Sequence, residues 1–320
     1  MPAEILRSKI EKLKRERNAV ILAHNYQIGE VQNIADFVGD SLGLSQQAAG
    51  TDADVIVFCG VHFMAETAAI LCPQKVVLLP DLDAGCPMAD MITADQLRGR
   101  KKQCPEATVV CYVNSTAEVK SESDICCTSA NAAKVIDSLA GVEEILFVPD
   151  KYLGHYVSTK TDKKIILWNG FCPTHVRILP QDIVKLKEEH PEAKVVVHPE
   201  CTPQVIELAD SVASTSGILK YARECDSEEI IVGTEVGIIH RLHKENPDKK
   251  FYPASPRAIC PNMKLTNLEK VLWALEDMAP RIEVPLEVAW GGQESHRQDV
   301  SCEIDWKGKK PDSYPFYRQL

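Results

Sequence analysis

The chain has no surplus of positive charge. Its 320 residues carry 36 lysines and arginines against 46 aspartates and glutamates, a net charge of −10. Nonspecific nucleic-acid binding needs a basic footprint, so that class of partner is excluded. Long apolar runs are also missing. The longest, residues 55–59 and 76–79 among them, fall far short of the ~18 residues that suggest a membrane span, so no membrane partner is expected. The amino-terminal segment has no apolar signal core. It reads as an amphipathic helix carrying Ile5, Leu6, Ile10 and Leu13, and Glu4, Glu11 and Glu16 do not suit an acid-poor transit peptide. The expectation is a cytoplasmic protein. No CxxC pair occurs anywhere, which argues against a zinc ribbon or a thioredoxin-like site.

What the chain does have is an ordinary globular composition, 45% hydrophobic and 26% charged, and twelve cysteines. In a reducing compartment cysteines serve as buried hydrophobes, metal ligands or catalytic groups rather than disulfides. Cys59, Cys111, Cys126 and Cys127 end apolar runs and read as small hydrophobes. Cys225 and Cys302 sit in polar surroundings without ligand-like neighbours. Five others, Cys72, Cys86, Cys104, Cys172 and Cys260, directly precede proline, where this composition gives about 0.7 such pairs by chance. A Cys-Pro step recurs in iron–sulfur ligation. Cys72 and Cys104 precede strand-like runs, whereas Cys86, Cys172 and Cys260 follow them. Ligands of parallel α/β sheets bind beyond the carboxyl ends of strands, so only the last three are on the useful end. From spacing alone, three unrelated thiols would be the default.

Internal repetition shifts that balance. VILAHNY from Val20, VVCYVNS from Val109 and VVVHPEC from Val195 each run from β-branched residues into polar ones. A second strand-to-helix step is read from Val55, Asp124 and Asp210, and third strands from Val76, Ile145 and Ile231. Fourth strands appear in copies two and three, from Ile165 and Lys249. Copy one shows no clear fourth strand and has a longer first connection, residues 27–54. Near-continuous apolar strands alternating with helices indicate parallel sheets covered on both faces. Helices over residues 181–190 and 202–209 supply cover, and one over residues 267–278 is expected to pack back on copy one. Although length alone suggests two domains, the repeats divide the chain into residues 1–105, 106–190 and 191–266, followed by 267–320 as a helix and polar tail. The fold class is α/β: three homologous α/β/α units with parallel sheets in pseudo-threefold arrangement, one Cys-Pro per unit facing a common centre.

Three protein ligands on a four-site centre leave a coordination position open, the mark of a catalytic metal. In a 4Fe–4S cluster the open iron is a Lewis acid suited to dehydration or condensation of oxygenated acids. The strand ends are rich in polar groups: His24, Asn25 and Tyr26; Tyr112, Asn114, Thr128 and Ser129; His198, Glu200, Ser214 and Thr215. His175 lies three residues after Cys172. Backbone N–H groups of residues 129–131 and 215–217, and a helix start at Asp40-Ser41-Leu42, suit carboxylate or phosphate. The plainer reading is that Ser41, Ser129 and Thr215 cap helices. His62 and Glu66 read as a satisfied i,i+4 pair, His240 and His243 as surface residues, and residues 12–17 as a solvated helix face.

Taken together, ILAHNYQ, AGCPMADM, YVNSTAEVKSESDICCTSANA, FVPDKYLG, WNGFCPTH, HPEC, ASTSG, VGTEVGIIHRL and CPNMK closely resemble the bacterial quinolinate synthase family, from about Val20 to Leu275. Pro87 departs from the small polar residue expected there, and the tail beyond Ala289 is left unplaced. The resemblance implies three homologous domains around one oxygen-sensitive 4Fe–4S cluster held by Cys86, Cys172 and Cys260. It implies condensation of iminoaspartate with dihydroxyacetone phosphate to quinolinate, with loss of phosphate and two waters, for NAD biosynthesis. It also implies transient hand-over of iminoaspartate from an aspartate-oxidising enzyme. Substrate would be bound by His24, Ser41, Tyr112, Val113, Asn114, Ser129, His198, Pro199, Glu200 and Thr215, with Tyr26, His175 and Glu200 as acid–base groups. Two rivals are a threefold 4Fe–4S reductase acting on an isoprenoid diphosphate and a noncatalytic iron–sulfur sensor. The HPEC, YVNSTAEVK and CPNM stretches argue against the first, and the density of acid–base residues against the second.

Overall fold

In the computed structural model residues 1–289 are described; the expectations for the polar tail, Cys302 included, lie outside them. Three four-stranded parallel sheets form the framework. In the first unit β1 (Ala19–His24), β2 (Phe37–Gly39), β3 (Val55–Cys59) and β4 (Val76–Leu78) pair in the order β2-β1-β3-β4. The second repeats this order with β5 (Thr108–Tyr112), β6 (Ile125–Cys127), β7 (Glu144–Val148) and β8 (Lys164–Leu167). The third does so with β9 (Lys194–Val197), β10 (Ser211–Val212), β11 (Glu229–Gly233) and β12 (Lys250–Pro253). The chain is thus an α/β fold of three similar units.

The sequence reading of copy one needs correction. Its second strand is β2, a short element passed over in favour of the longer apolar run from Val55. The run from Val55 is therefore the third strand and Val76 begins the fourth, so copy one is complete. An aspartate marks the register. Asp36, Asp124 and Asp210 each accept from the backbone N–H fifteen residues earlier, on Ile21, Val109 and Val195, at 2.7–2.8 Å. Each also donates its own N–H to the carbonyl of that same residue. A second mark precedes each fourth strand: Lys75, Lys163 and Lys249 each donate to two carbonyls of the connection before the third strand.

Alternation within the strands explains the layers. Val20, Leu22, Ile56 and Phe58 join the central core, which also takes both faces of the second sheet. Ile21, Ala23, Val55 and Val57 point the other way, into a cluster with Leu6 and Ile10 of helix Ala3–Glu16 and Val271, Leu272 and Leu275 of helix Leu268–Asp277. Val195, Val197 and Ile231 form the outer cluster of the third unit with Ile183 of helix Pro180–Glu189. Truncating a side chain such as Ile10, fully buried there, costs about 2–5 kcal/mol. The expected helix over 202–209 contracts to Pro203–Ile206. No helix of the described residues is long and apolar enough to cross a membrane.

Helix ends account for two of the Cys-Pro steps. Cys72 and Cys104 are C-caps with φ −131° and ψ 61° and 65°. His190 and Asn246, also followed by proline, close their helices at φ −132° and −137°, both with ψ 72°. A residue before proline is pushed out of the α region, so the dipeptide ends the helix. Cys59, Cys111, Cys126, Cys127 and Cys201 are buried. His240 corrects the surface expectation. It is half-buried, its Nε2 3.1 Å from Asn33 Oδ1, and it packs so closely on Gly29 that a Cβ there would lie 2.7 Å from the ring. His243 is exposed.

Candidate active site

The shared register superposes the three units on one another. Three residues beyond Ile21, Val109 and Val195 stand His24, Tyr112 and His198, and two further on stand Tyr26, Asn114 and Glu200. Five beyond the marker aspartates stand Ser41, Ser129 and Thr215. Beyond each fourth strand comes Cys86, Cys172 or Cys260, each followed by a short 3₁₀ turn (Ala89–Met91, His175–Arg177, Asn262–Lys264). All twelve line one cavity at the carboxyl ends of the strands, with about 710 Å³ of atom-free space counting its open mouth. Val113 and Pro199 are not among the residues that line it. Side chains alternate along extended backbone, so with 112 and 114, or 198 and 200, facing the cavity, the residue between turns away. Val113 is packed in the core.

None of the three hydroxyl residues caps a helix, and beside two of them a neighbour does. Asp40 accepts from Gly43 N–H at the helix Ser41–Gly50, and Ser214 accepts from Gly217 N–H at the helix Thr215–Glu224. The helix after Ser129 starts only at Ala132, with Asn131 at its cap position. Ser41, Ser129 and Thr215 are thereby freed for other contacts.

Glu200 is the hub. It is buried, yet its Oε1 accepts from Tyr112 Oη at 2.6 Å and Asn114 Nδ2 at 3.3 Å, while its Oε2 lies 2.7 Å from His175 Nδ1. Burial alone would raise its pKa, but the His175 contact and the Tyr112 hydrogen bond hold it below the usual carboxylate range. His175 Nε2 meets Thr234 Oγ1 at 2.9 Å and Tyr26 Oη at 3.4 Å, and Tyr26 Oη is 2.5 Å from Thr234 Oγ1. Hydroxyls therefore connect Tyr26 through the imidazole to Glu200. Burial, with the Glu200 charge behind it, pushes the phenols of Tyr26 and Tyr112 well up, so both are protonated. Tyr26 is a proton holder rather than a resting base. Burial also lowers His24 to about 4 and His198 to about 3, leaving both neutral at pH 7.

Backbone N–H groups of Met88 and Ala89 near Cys86, of His175 near Cys172, and of Asn262 and Met263 near Cys260 act to lower the pKa of each thiol. Burial nevertheless pushes the Cys86 thiol up to about 12 and raises Cys172 and Cys260 as well. Thiolates here need a cation, and metal binding displaces the protons. Cys172, His175 and Glu200 also form a compact trio with ligand atoms within 4.8 Å of one another. Their contacts of 3.1 Å (Cys172 Sγ to His175 Nδ1) and 2.7 Å are too short for two ligands of one tetrahedral ion, which sit about 3.3 Å or more apart. That trio is a hydrogen-bonded group. Cys86, Cys172 and Cys260 bring one thiol from each unit to the same cavity.

The sequence reading missed Thr234 and Glu235. Glu235 is buried, and its Oε1 accepts from Cys260 N–H at 3.1 Å and Lys264 Nζ at 2.9 Å, while Oε2 accepts from Gly237 N–H. The signal was available: Glu235 follows β11 as Asp150, also buried, follows β7. Once the units are superposed, both stand at one position.

A buried carboxylate wired through imidazole to a phenol, on the wall of a cavity formed by three parallel α/β units, defines a catalytic protein of this fold rather than a carrier. Residues 8–298 match the family model described as Quinolinate synthetase A protein. Among curated proteins, the chain is 60% identical over 288 residues to the quinolinate synthase of Dehalococcoides mccartyi strain CBDB1, covering 90% of this chain and 95% of that protein. To the quinolinate synthase of Methanosarcina barkeri it is 58% identical over 302 residues, covering 94% and 99%. The chain belongs to the quinolinate synthetase A family.

Proposed function

We propose that this protein is a quinolinate synthase that condenses iminoaspartate with dihydroxyacetone phosphate, releasing quinolinate, phosphate and two waters, as a step toward NAD. The observation that carries this reading is the meeting of one strand-end thiol from each unit in the cavity that also holds the Tyr26–His175–Glu200 chain. Cys86, Cys172 and Cys260 would hold a 4Fe–4S cluster. When bound, the cluster supplies an iron with an open position that polarises a hydroxyl or carboxylate.

The remaining work falls to side chains. Ser41, Ser129 and Thr215 offer hydroxyls to the anionic groups of two acidic substrates. His24, held neutral by burial, offers an N–H donor without adding charge, and His198, also neutral, gives its N–H to the Ser129 hydroxyl. Glu200, kept ionised, is the acceptor that draws a proton through His175, and Tyr26, kept protonated, returns one to a leaving hydroxyl. Imines hydrolyse in water, and the apolar wall of Val61, Phe63, Met64, Met88 and Met263 keeps the bound one dry. The supplier of iminoaspartate would be an aspartate-oxidising enzyme.

Anaerobic purification should give a brown protein with about four irons and four sulfides per chain. Given both substrates, it should form quinolinate. A protein that stays colourless after anaerobic reconstitution and forms no quinolinate would overturn the assignment.

A further inference from the structure

Two of the three symmetry-related hydroxyls receive a hydrogen bond from a neighbouring unit, and in each case the donor's own surroundings fix its direction. Glu200 N–H points at His198 Nδ1 at 3.3 Å. A backbone N–H only donates, so Nδ1 accepts and the proton of the neutral ring sits on Nε2. Nε2 is 3.2 Å from Ser129 Oγ and donates to it. The second case begins outside the cavity, on the helix Ile238–Glu245. Arg241 Nη1 is 2.9 Å from Asn25 Oδ1, with the guanidinium held by Glu245 at 2.6 Å and by the Val38 carbonyl. A guanidinium has no acceptor, so the amide oxygen of Asn25 must face it. The amide nitrogen then faces Thr215 Oγ1, to which it donates at 2.9 Å. Asn25 is fully buried and Thr215 nearly so.

We propose that Arg241 and Asn25 are positioning residues that set the polarity of Thr215. With its oxygen engaged as an acceptor, the Thr215 hydroxyl turns its proton into the cavity, which the Ser129 hydroxyl oriented by His198 also lines. The pair forms a neutral donor set for one oxyanion, a carboxylate or a phosphate. Asn25 has no counterpart in the other units: Val113 and Pro199 stand at its position. The device is therefore specific to the seam between the first and third units. It deepens the reading under Proposed function, since it rests on anionic substrates.

Asn25→Asp tests it with almost no change of shape. An aspartate still accepts from Arg241, but it also accepts from Thr215, whose proton is then drawn out of the cavity. Binding of inorganic phosphate and of malonate to the cluster-loaded protein is measured by anaerobic calorimetry; whichever probe responds identifies the oxyanion. Affinity is expected to fall about tenfold, the loss of one donor to a charged group. A new negative charge could weaken binding directly, so the substitution is repeated in Thr215→Val. There it should cost less than about twofold, because the hydroxyl it acts through is gone. Arg241→Met, which releases the amide, should weaken binding in the same direction, and Arg241→Lys should restore it. In turnover, KM should rise with kcat little changed.

An equal loss in the Thr215→Val background, or no loss with either probe, overturns the proposal. If the oxyanion responds as expected but no quinolinate forms, the relay stands and the proposed activity falls. If quinolinate forms and the variants bind alike, the relay alone falls. A protein that binds neither probe and forms no quinolinate overturns both.

Discussion

Five cysteines of this chain precede proline, and the structure divides them into two kinds. Cys86, Cys172 and Cys260 follow the fourth strands and line the central cavity. Cys72 and Cys104 close helices at the opposite ends of the units, in the same backbone conformation that His190 and Asn246 adopt before their own prolines. The dipeptide is the same in both; its place in the βα repeat is not. Proline's constraint on the preceding residue serves a helix end in one set and a turn that brings N–H groups near sulfur in the other. Chemistry follows from the end of the sheet on which the step falls.

The largest expected effect breaks one member of the first set. Cys172→Ser should lose cluster iron and all detectable turnover, read by iron analysis and product formation. Retention of a full complement of iron would show that the three thiols are not the ligands.

Next comes the hydrogen-bonded chain from Tyr26 through His175 to Glu200. Glu200→Gln keeps acceptors for Tyr112 and Asn114 but removes the charge facing His175. Activity should fall about 10²–10⁴-fold, with the absorption spectrum of the cluster unchanged. Undiminished turnover with an intact cluster would remove Glu200 from the acid–base role.

A pH series then probes the histidines that share the cavity. His24 and His198 titrate at about 4 and 3 in the folded protein, below the usual 6.5. Between those values and 6.5 the unfolded chain binds protons that the folded one refuses, so stability falls as pH drops through that window and is level above it. From pH 7 to pH 5 the loss should be about 2–4 kcal/mol, measured by urea unfolding. A flat profile there would mean that these rings are not buried as neutral groups.

The smallest effects belong to the second set of cysteines and sharpen the contrast. Cys72 is buried with its thiol 3.1 Å from the Ala48 carbonyl, so Cys72→Ala should cost about 1–2 kcal/mol by thermal melting. Cys104→Ala, at a half-exposed helix end, should stay within about 0.5 kcal/mol. Both should keep full iron content, and loss of iron in either would erase the distinction.

The amino-acid sequence by itself determined the α/β class, the repetition and the three strand-end thiols, because apolar period and chain direction are local properties. It also supplied His24, Tyr112, His198 and Glu200, since a titratable group ending a buried strand is visible in one dimension. The short strand β2 escaped because the longer apolar run from Val55 took its place in the reading, and with it the true alignment of copy one was lost, although Asp36 already carried the signal. Only the tertiary structure decided that Val113 and Pro199 turn away from the cavity, that neighbours rather than Ser41 and Thr215 do the capping, and that Thr234 and Glu235 join the site. It alone joined Arg241 to Thr215 through Asn25, residues 216 and 190 positions apart. Hydrogen-bond direction across a seam between units depends on which groups folding brings within 3 Å, and no local pattern encodes that.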